Sequence, residues 1–261
     1  MRSHSLLLGH VIVLLLLLLR DLQSHRALPP GLKACAIRKL AEEAADNGAL
    51  DPQIANGIRA VKGIRQEGTR SGNWLVKQQA QQLLDAPDVT TLKGLRDRAI
   101  LALLLGCGLR RAEAANLTFD CIQQRDGRWV LVDIVGKRNK VRSVPMPTWT
   151  KQAIHEYSDG AELQEGVVFR SINKGGHFVG LRMTEQAIYN LVVEYAAALG
   201  FTQLAPHDLR RTFAKLAHKG GSGLDQIQLS LGHGSMQTTE RYLGIEQDLT
   251  DAPCDRLGLR I

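Results

Sequence analysis

Apolar positions between residues 76 and 244 recur mostly at the spacing of α-helices. Residues 92–105 contain the stretch AILALLL, which should be buried before Gly106-Cys107-Gly108 ends the helix. A second, short helix is predicted to begin at Arg110. The same periodicity predicts further helices over 77–86, 148–161, 184–199, 208–219, 224–231 and 236–243.

Two segments in the middle of the chain have the composition of β-strands instead. They are 129–135 (WVLVDIV) and 141–146 (VRSVPM), and the five residues from Gly136 to Lys140 turn between them. Three of those five residues are cationic, so the hairpin tip should carry a cluster of positive charge. The pattern as a whole predicts a mainly α fold with a small antiparallel β-sheet.

The first 72 residues differ in character from the rest. Residues 6–19 (LLLGHVIVLLLLLL) resemble a signal-peptide core, yet they are shorter than the ~20 residues that span a bilayer. A signal or anchor, a buried helix and a leader produced by a misplaced start all remain open. A helix is predicted over 33–46, and the glycine-bearing segment 61–73 reads as a linker. We therefore predict an apolar leader over 1–31, a helical region and linker over 32–72, and a large domain over 73–261.

Composition narrows the range of partners. The 261 residues are 44% apolar, as in a folded protein with a core, and 33 Lys and Arg against 26 Asp and Glu give a net charge of +7. This charge favours a polyanionic partner. No CxxC pair and no histidine at metal-ligand spacing accompany the cysteines, so we expect inert thiols and no metal site. The four cysteines are Cys35, Cys107, Cys121 and Cys254.

Two short segments place cations and their partners on helix faces. In GLRRAEAANL, Arg110 lies at a predicted helix start, which suits a phosphate, and Glu113 follows at i, i+3. In PHDLRRTFA, His207 and Arg210 share a helix face at the same spacing, so an imidazole and a guanidinium can approach one target. Each pair taken alone is more typical of a solvated helix surface than of a phosphate site.

A third segment, LGHGSMQTTERYLG, contains His233 and Tyr242, and Thr238 or Thr239 could cap the helix that presents the tyrosine. With the cationic hairpin, the three segments follow the order G-L-R-x-x-E, hairpin lysine, H-x-L-R-[HR]-[ST]-F-A, L-G-H and T-T-x-x-Y. In this order they resemble the tyrosine recombinase, or phage-type integrase, family over residues 76–244. One departure is Arg211, which stands where a histidine is more usual.

The resemblance implies a role for each matched residue. Arg110 and Arg210 would stabilise charge on the scissile phosphate, and Tyr242 would be the nucleophile. His207 would accept its proton, while His233 would bind the phosphate or orient the tyrosine. The remaining assignments are Lys137 as general acid on the leaving oxygen, Glu113 as a support for Arg110, and Arg138, Lys140 and Arg142 as DNA contacts.

The family also implies an overall fold and activity. We expect a tyrosine recombinase catalytic domain preceded by a truncated helical N-terminal region, the remnant of a core-DNA-binding domain. The expected activity is site-specific breakage and rejoining of double-stranded DNA through a 3′-phosphotyrosyl intermediate, by a homo-tetramer in the cytoplasm and not at a membrane. We expect no cofactor, in agreement with the lack of a GxxxxGK[ST] loop.

Other functions remain compatible with the sequence. Residues 224–243 could form a helix-turn-helix in a non-catalytic DNA-binding regulator. The chain could also be an inactive integrase remnant, or a type IB topoisomerase with similar tyrosine chemistry. Detection of a covalent protein–DNA adduct would favour the catalytic hypotheses over the regulator.

Overall fold

The computed structural model describes residues 30–61, 73–136, 139–173 and 175–244, and the chain divides into two compact units, Met1–Gly68 and Thr69–Ile261. In the first unit, α1 (Pro30–Asp46) is followed by α2 (Pro52–Ala60). Asp51 caps α2 by accepting a hydrogen bond from the Gln53 N–H at 2.7 Å. The predicted apolar leader lies mostly outside the described residues. No described helix is both long and apolar enough to cross a bilayer.

The second unit is mainly helical, as predicted. Its described helices are α3 (Lys77–Asp85), α4 (Leu92–Cys107), α5 (Arg111–Ala115), α6 (Thr148–Gly160), α7 (Glu185–Ala198), α8 (Pro206–Lys219), α9 (Leu224–Leu231) and α10 (Met236–Leu243).

Helix α4 forms the centre of the core. Its residues 99–105, the AILALLL stretch, are all buried, which confirms the expectation from the sequence. Thr91 caps the helix by accepting from the Gly94 N–H at 3.0 Å, and Gly108 ends it in the left-handed conformation at φ 60°. Helices α6 and α8 pack against this buried helix. Residue Arg210 of α8 donates a hydrogen bond to the carbonyl of Gly108, at the end of α4.

The sheet contains three antiparallel strands in chain order, β1 (Ile122–Arg125), β2 (Arg128–Val135) and β3 (Val141–Pro145). The prediction of a small antiparallel sheet is confirmed, but the pattern did not predict β1. Its sequence, IQQR, lacks the alternation of a half-buried strand. Asp126 and Gly127, both at positive φ, form the tight turn that pairs it with β2. The Asp126-Gly127 pair is the feature of the sequence from which this hairpin could have been predicted.

A small apolar cluster joins the last three helices. Ala214 of α8, Ile227 and Leu231 of α9 and Leu243 of α10 are buried against one another. Tyr242 packs at the edge of this cluster. Burial of Leu243 therefore fixes the position of the short helix that carries the predicted nucleophile.

Candidate active site

Arg110 and Glu113 meet at the start of α5. The Arg110 backbone N–H donates to Glu113 Oε2 at 2.8 Å, and its Nη1 donates to Glu113 Oε1 at 2.7 Å. This is the arrangement in which a glutamate at the third helical position satisfies the N-terminal N–H. The Arg110 side chain remains 31% exposed while that of Glu113 is 3% exposed. The carboxylate is thus a buried anchor for a guanidinium that can still reach a ligand.

The Glu113 carboxylate also accepts two hydrogen bonds from the Arg142 guanidinium of β3. Burial alone would raise the pKa of Glu113, but hydrogen bonds from Arg142 and Arg110 outweigh it and lower the pKa to about 2. The group is therefore ionised across the physiological range. Two cations on one carboxylate leave excess positive charge for an anionic ligand.

Arg210 is held between the ends of two helices. Its side chain is buried, at 1% exposure, and it donates to the Gly108 carbonyl after α4 and to the Leu231 carbonyl at the end of α9. Helix C-termini carry unpaired carbonyls and partial negative charge, so they suit a guanidinium. Burial, followed by the charge of Arg110, lowers the pKa of Arg210 to about 9.

Tyr242 lies between the two predicted histidines. Its ring centroid is 5.6 Å from that of His207 and 5.2 Å from that of His233, edge to face in both cases. The Tyr242 hydroxyl donates to the backbone carbonyl of His207 at 3.3 Å. Nδ1 of His233 is 3.1 Å from Oγ1 of Thr239, a buried residue one turn before the tyrosine. This contact leaves Nε2 of His233 available to a ligand.

The local electrostatics keep both imidazoles neutral. Desolvation and then the positive charges of Arg211 and Arg210 lower the pKa of His207. Desolvation and the charge of Arg210 lower the pKa of His233 to about 4. Burial raises the pKa of Tyr242. At neutral pH the tyrosine is therefore a phenol with proton acceptors beside it.

A cleft of about 310 Å³ opens beside these groups. Arg110, His207 and Arg210 line it, together with Arg111, Glu185 and Tyr189. The ion pair between Arg111 and Glu185, at 3.3 Å, borders the cleft. Its walls offer cations and a histidine to an anion. Among the described residues, no group of three His, Cys, Asp or Glu side chains could hold a metal ion.

The structure brings most of the predicted site residues together. Three segments of the sequence converge here, and they supply Arg110, Glu113, His207, Arg210, His233 and Tyr242. Lys137 and Arg138 lie outside the described residues. Lys140 is exposed, and its Nζ lies close to Gly234, beside His233.

Arg142 differs from the expectation that it contacts DNA from the hairpin. Its side chain is only 9% exposed and its guanidinium is bonded to Glu113, so this geometry does not support a direct contact. The physical reason is register, because Arg142 pairs with buried Ile134 of β2 and lies over the carboxylate.

Two neighbours of the tyrosine make contacts that were not predicted, because the sequence analysis considered Thr239 only as a helix cap and Arg211 only as a departure from the motif. The residue that caps α10 is Ser235. Thr239 fixes the His233 ring, and the Arg211 guanidinium lies 5.0 Å from the centroid of the Tyr242 ring. Thr239 had a signal, since it lies in the T-T-x-x-Y motif. The stacking of Arg211 had none, because it depends on how α8 and α10 pack.

Comparison with known proteins gives consistent matches. The model of the phage integrase family matches residues 73–248. Tyrosine recombinase XerC of Myxococcus xanthus is 37% identical over 168 residues, 61% of this chain and 54% of that protein. Tyrosine recombinase XerD of Neisseria meningitidis serogroup B is 33% identical over 171 residues, 64% of this chain and 57% of that protein. The chain thus spans about half the length of the curated relatives it matches.

Solved structures agree with the fold. The crystal structure of XerA recombinase superimposes with a TM-score of 0.56 at 18% identity, covering 94% of this chain and 86% of that chain. XerH recombinase bound to its difH substrate gives a TM-score of 0.56 at 18% identity, over 83% and 68% of the two chains. Since the family match covers more than half of the sequence, this chain belongs to the phage integrase family of tyrosine recombinases.

Proposed function

We propose that this protein is a site-specific DNA recombinase that breaks and rejoins strands through a 3′-phosphotyrosyl intermediate at Tyr242. The observation that carries the proposal is the placement of the Tyr242 ring within 5.6 Å of two neutral imidazoles, His207 and His233, with buried Arg210 adjacent. Cleavage of a phosphate diester by this route needs a nucleophile, a proton acceptor and fixed cations.

The reaction would exchange one phosphate ester for another. The Tyr242 oxygen would attack the scissile phosphorus and lose its proton, and the bond from phosphorus to the 5′ oxygen would break. The 5′ oxygen would leave with a proton from a general acid. Because a phosphoester replaces a phosphoester, the reverse attack by a 5′ hydroxyl would rejoin a strand without ATP.

Arg110 and Arg210 would stabilise the charge that builds on the non-bridging oxygens. The two carbonyls that hold Arg210 and the carboxylate that holds Arg110 fix these guanidinium groups before DNA arrives. Preorganised donors of this kind are worth about 3 kcal/mol each in the transition state.

The proton of Tyr242 needs an acceptor, because burial raises the pKa of its hydroxyl. We assign this role to the His207 ring, which belongs to the same residue whose carbonyl now accepts from Tyr242. In the reaction the hydroxyl would donate to a ring nitrogen of His207 in place of the carbonyl. His233 would bind a phosphate oxygen through Nε2. Lys137 as the general acid rests on the motif alone.

The partners are proposed on the same basis. Structures similar in fold include XerH bound to difH and the Tn1549 integrase in complex with circular intermediate DNA. We assign double-stranded DNA as substrate here, a homo-tetramer on two DNA sites as the active assembly, and the cytoplasm as its location. Residues 73–261 would be the catalytic domain, and the helices of residues 32–72 would add DNA contacts.

Trapping on a suicide substrate tests the proposal. The parent protein and Tyr242→Phe are incubated with nicked DNA from the flanks of its own gene, and the products are separated on a denaturing gel. We expect a covalent band with the parent that is lost in Tyr242→Phe. No covalent band together with a shift on a native gel would refute catalysis and leave a DNA-binding regulator or an inactive remnant.

A further inference from the structure

Arg142 is an arginine of the hairpin whose side chain is turned inward. It makes three hydrogen bonds: Nη1 to Glu113 Oε1 at 2.9 Å, Nη2 to Glu113 Oε2 at 2.8 Å, and Nε to the Ser230 carbonyl at 2.9 Å. The first two form the bidentate fork that only arginine can offer to a carboxylate. One side chain thus joins β3 to the start of α5 and to the last turn of α9.

Two glycines make room for this side chain. A Cβ on Gly136 would lie 3.1 Å from Arg142 Nη1 and 3.2 Å from Arg110 Nη1. A Cβ on Gly232 would lie 2.9 Å from Arg142 Cδ, and Gly232 adopts φ 62° at the end of α9. The backbone therefore closes around the guanidinium from both sides, so the site is shaped for an arginine.

The elements that Arg142 joins are those that hold the phosphate-binding groups. Glu113 anchors Arg110 through Oε1. The residue after Ser230, Leu231, offers the carbonyl that holds Arg210, and His233 follows two residues later. A displacement of Arg142 would consequently move both arginines.

We propose that Arg142 is a positioning residue for strand cleavage, which aligns Arg110 through Glu113 and Arg210 through the end of α9. The inference rests on the proposed function, because alignment matters only if these groups act on a phosphate. It assigns no DNA contact to Arg142.

Arg142→Lys tests the inference with little change in charge. A lysine supplies a single ammonium and cannot donate to both carboxylate oxygens and the Ser230 carbonyl in the same geometry. Misplacing groups in a cleavage site by about 1 Å costs on the order of 100-fold in rate. We expect the single-turnover rate of adduct formation at saturating DNA to fall by about 10- to 100-fold, with DNA affinity unchanged.

Salt dependence distinguishes positioning from DNA contact. Each lost phosphate contact lowers the slope of log affinity against log salt by about 0.9. Because Arg142→Lys keeps the positive charge, the salt dependence is measured with Arg142→Gln, which removes it. The matched controls are Lys140→Gln and Arg125→Gln, which remove a charge from exposed residues. We expect Arg142→Gln to keep the parental slope and to cleave slowly. A slope reduced by about one with a parental rate at saturation would overturn the proposal, as would parental behaviour in both measurements.

A double-mutant cycle of cleavage rates distinguishes a positioning role for Arg142 from a merely structural one. If Arg142 acts through Glu113, Arg142→Lys combined with Glu113→Gln should cleave no more slowly than the slower single variant. Multiplicative losses would show independent action and refute the inference.

The same cycle is measured by urea unfolding of the full chain, which does not require activity. A parent protein that forms no adduct would refute the proposed recombinase, whereas additive unfolding effects of the two substitutions would refute the Arg142–Glu113 coupling. If Arg142→Lys fails to fold, the slope and rate of Arg142→Gln decide, since this variant removes the same fork and leaves Glu113 in place as the anchor of Arg110.

Discussion

Glu113 should make the folded protein sensitive to acid, and Glu113→Gln should remove that sensitivity. Hydrogen bonds from Arg142 and Arg110 lower the pKa of the carboxyl from its ordinary value of 4.5 to about 2, in spite of the burial that opposes them. A folded-state pKa below the unfolded value adds stability above the unfolded pKa, and this stability is lost as pH falls towards the folded pKa.

The expected magnitude follows from these two values. A pKa lowered to about 2 corresponds to about 3 kcal/mol of stability at neutral pH, because each pH unit between the two values is worth 1.36 kcal/mol. Roughly 2 kcal/mol of it should be lost between pH 7 and pH 3. Urea unfolding of the parent and of Glu113→Gln at both pH values measures the difference between the two losses.

An exposed carboxylate in the same region supplies the control. Glu185 is 49% exposed and pairs with Arg111 at 3.3 Å, so Glu185→Gln should keep the pH dependence of the parent. If Glu113→Gln lost as much stability on acidification as the parent, the buried fork would not be holding an ionised carboxylate. The electrostatic account of the site would then be wrong.

Two further substitutions test the frame around Arg210. Arg210→Lys should reduce the rate of cleavage at saturating DNA by about 100-fold or more. An ammonium group cannot donate to the Gly108 and Leu231 carbonyls and also offer a fork to phosphate. A rate within a few-fold of the parent would contradict this expectation. Gly108→Ala should lower stability more than Gly200→Ala in urea unfolding. Both positions have positive φ, but only at Gly108 would the new Cβ meet Phe213, at 2.6 Å; equal losses would exclude the clash.

Much of the fold could be predicted from the pattern of apolar residues. The buried stretch in α4 and the bounds of α9 and α10 agree with the prediction, because a 3.6-residue period and a following glycine are local properties. Strand β1 was missed because its residues have no alternation of their own, and it exists through pairing with β2. Helix α2 (Pro52–Ala60) was also not predicted separately, although Asp51-Pro52 is a typical helix start.

The candidate site divides in the same way. The motifs selected Arg110, His207, Arg210, His233 and Tyr242 from the sequence, and the structure places them around one cleft and one tyrosine. For Arg142 the sequence predicted a DNA contact, because it lies close to Lys137 in the cationic hairpin. The sheet register turned it inward instead.

The sequence by itself determined the helical elements, the order of the motifs and hence the family, since these depend on residues close together in the chain. Only the tertiary structure decided which partners each charged group has. Arg210 binds carbonyls from two helices, 102 and 21 residues away, and Arg142 binds a glutamate 29 residues away. A buried guanidinium requires hydrogen-bond acceptors, and tertiary packing decides which acceptors lie within reach. The spacing of residues along the chain does not determine that packing.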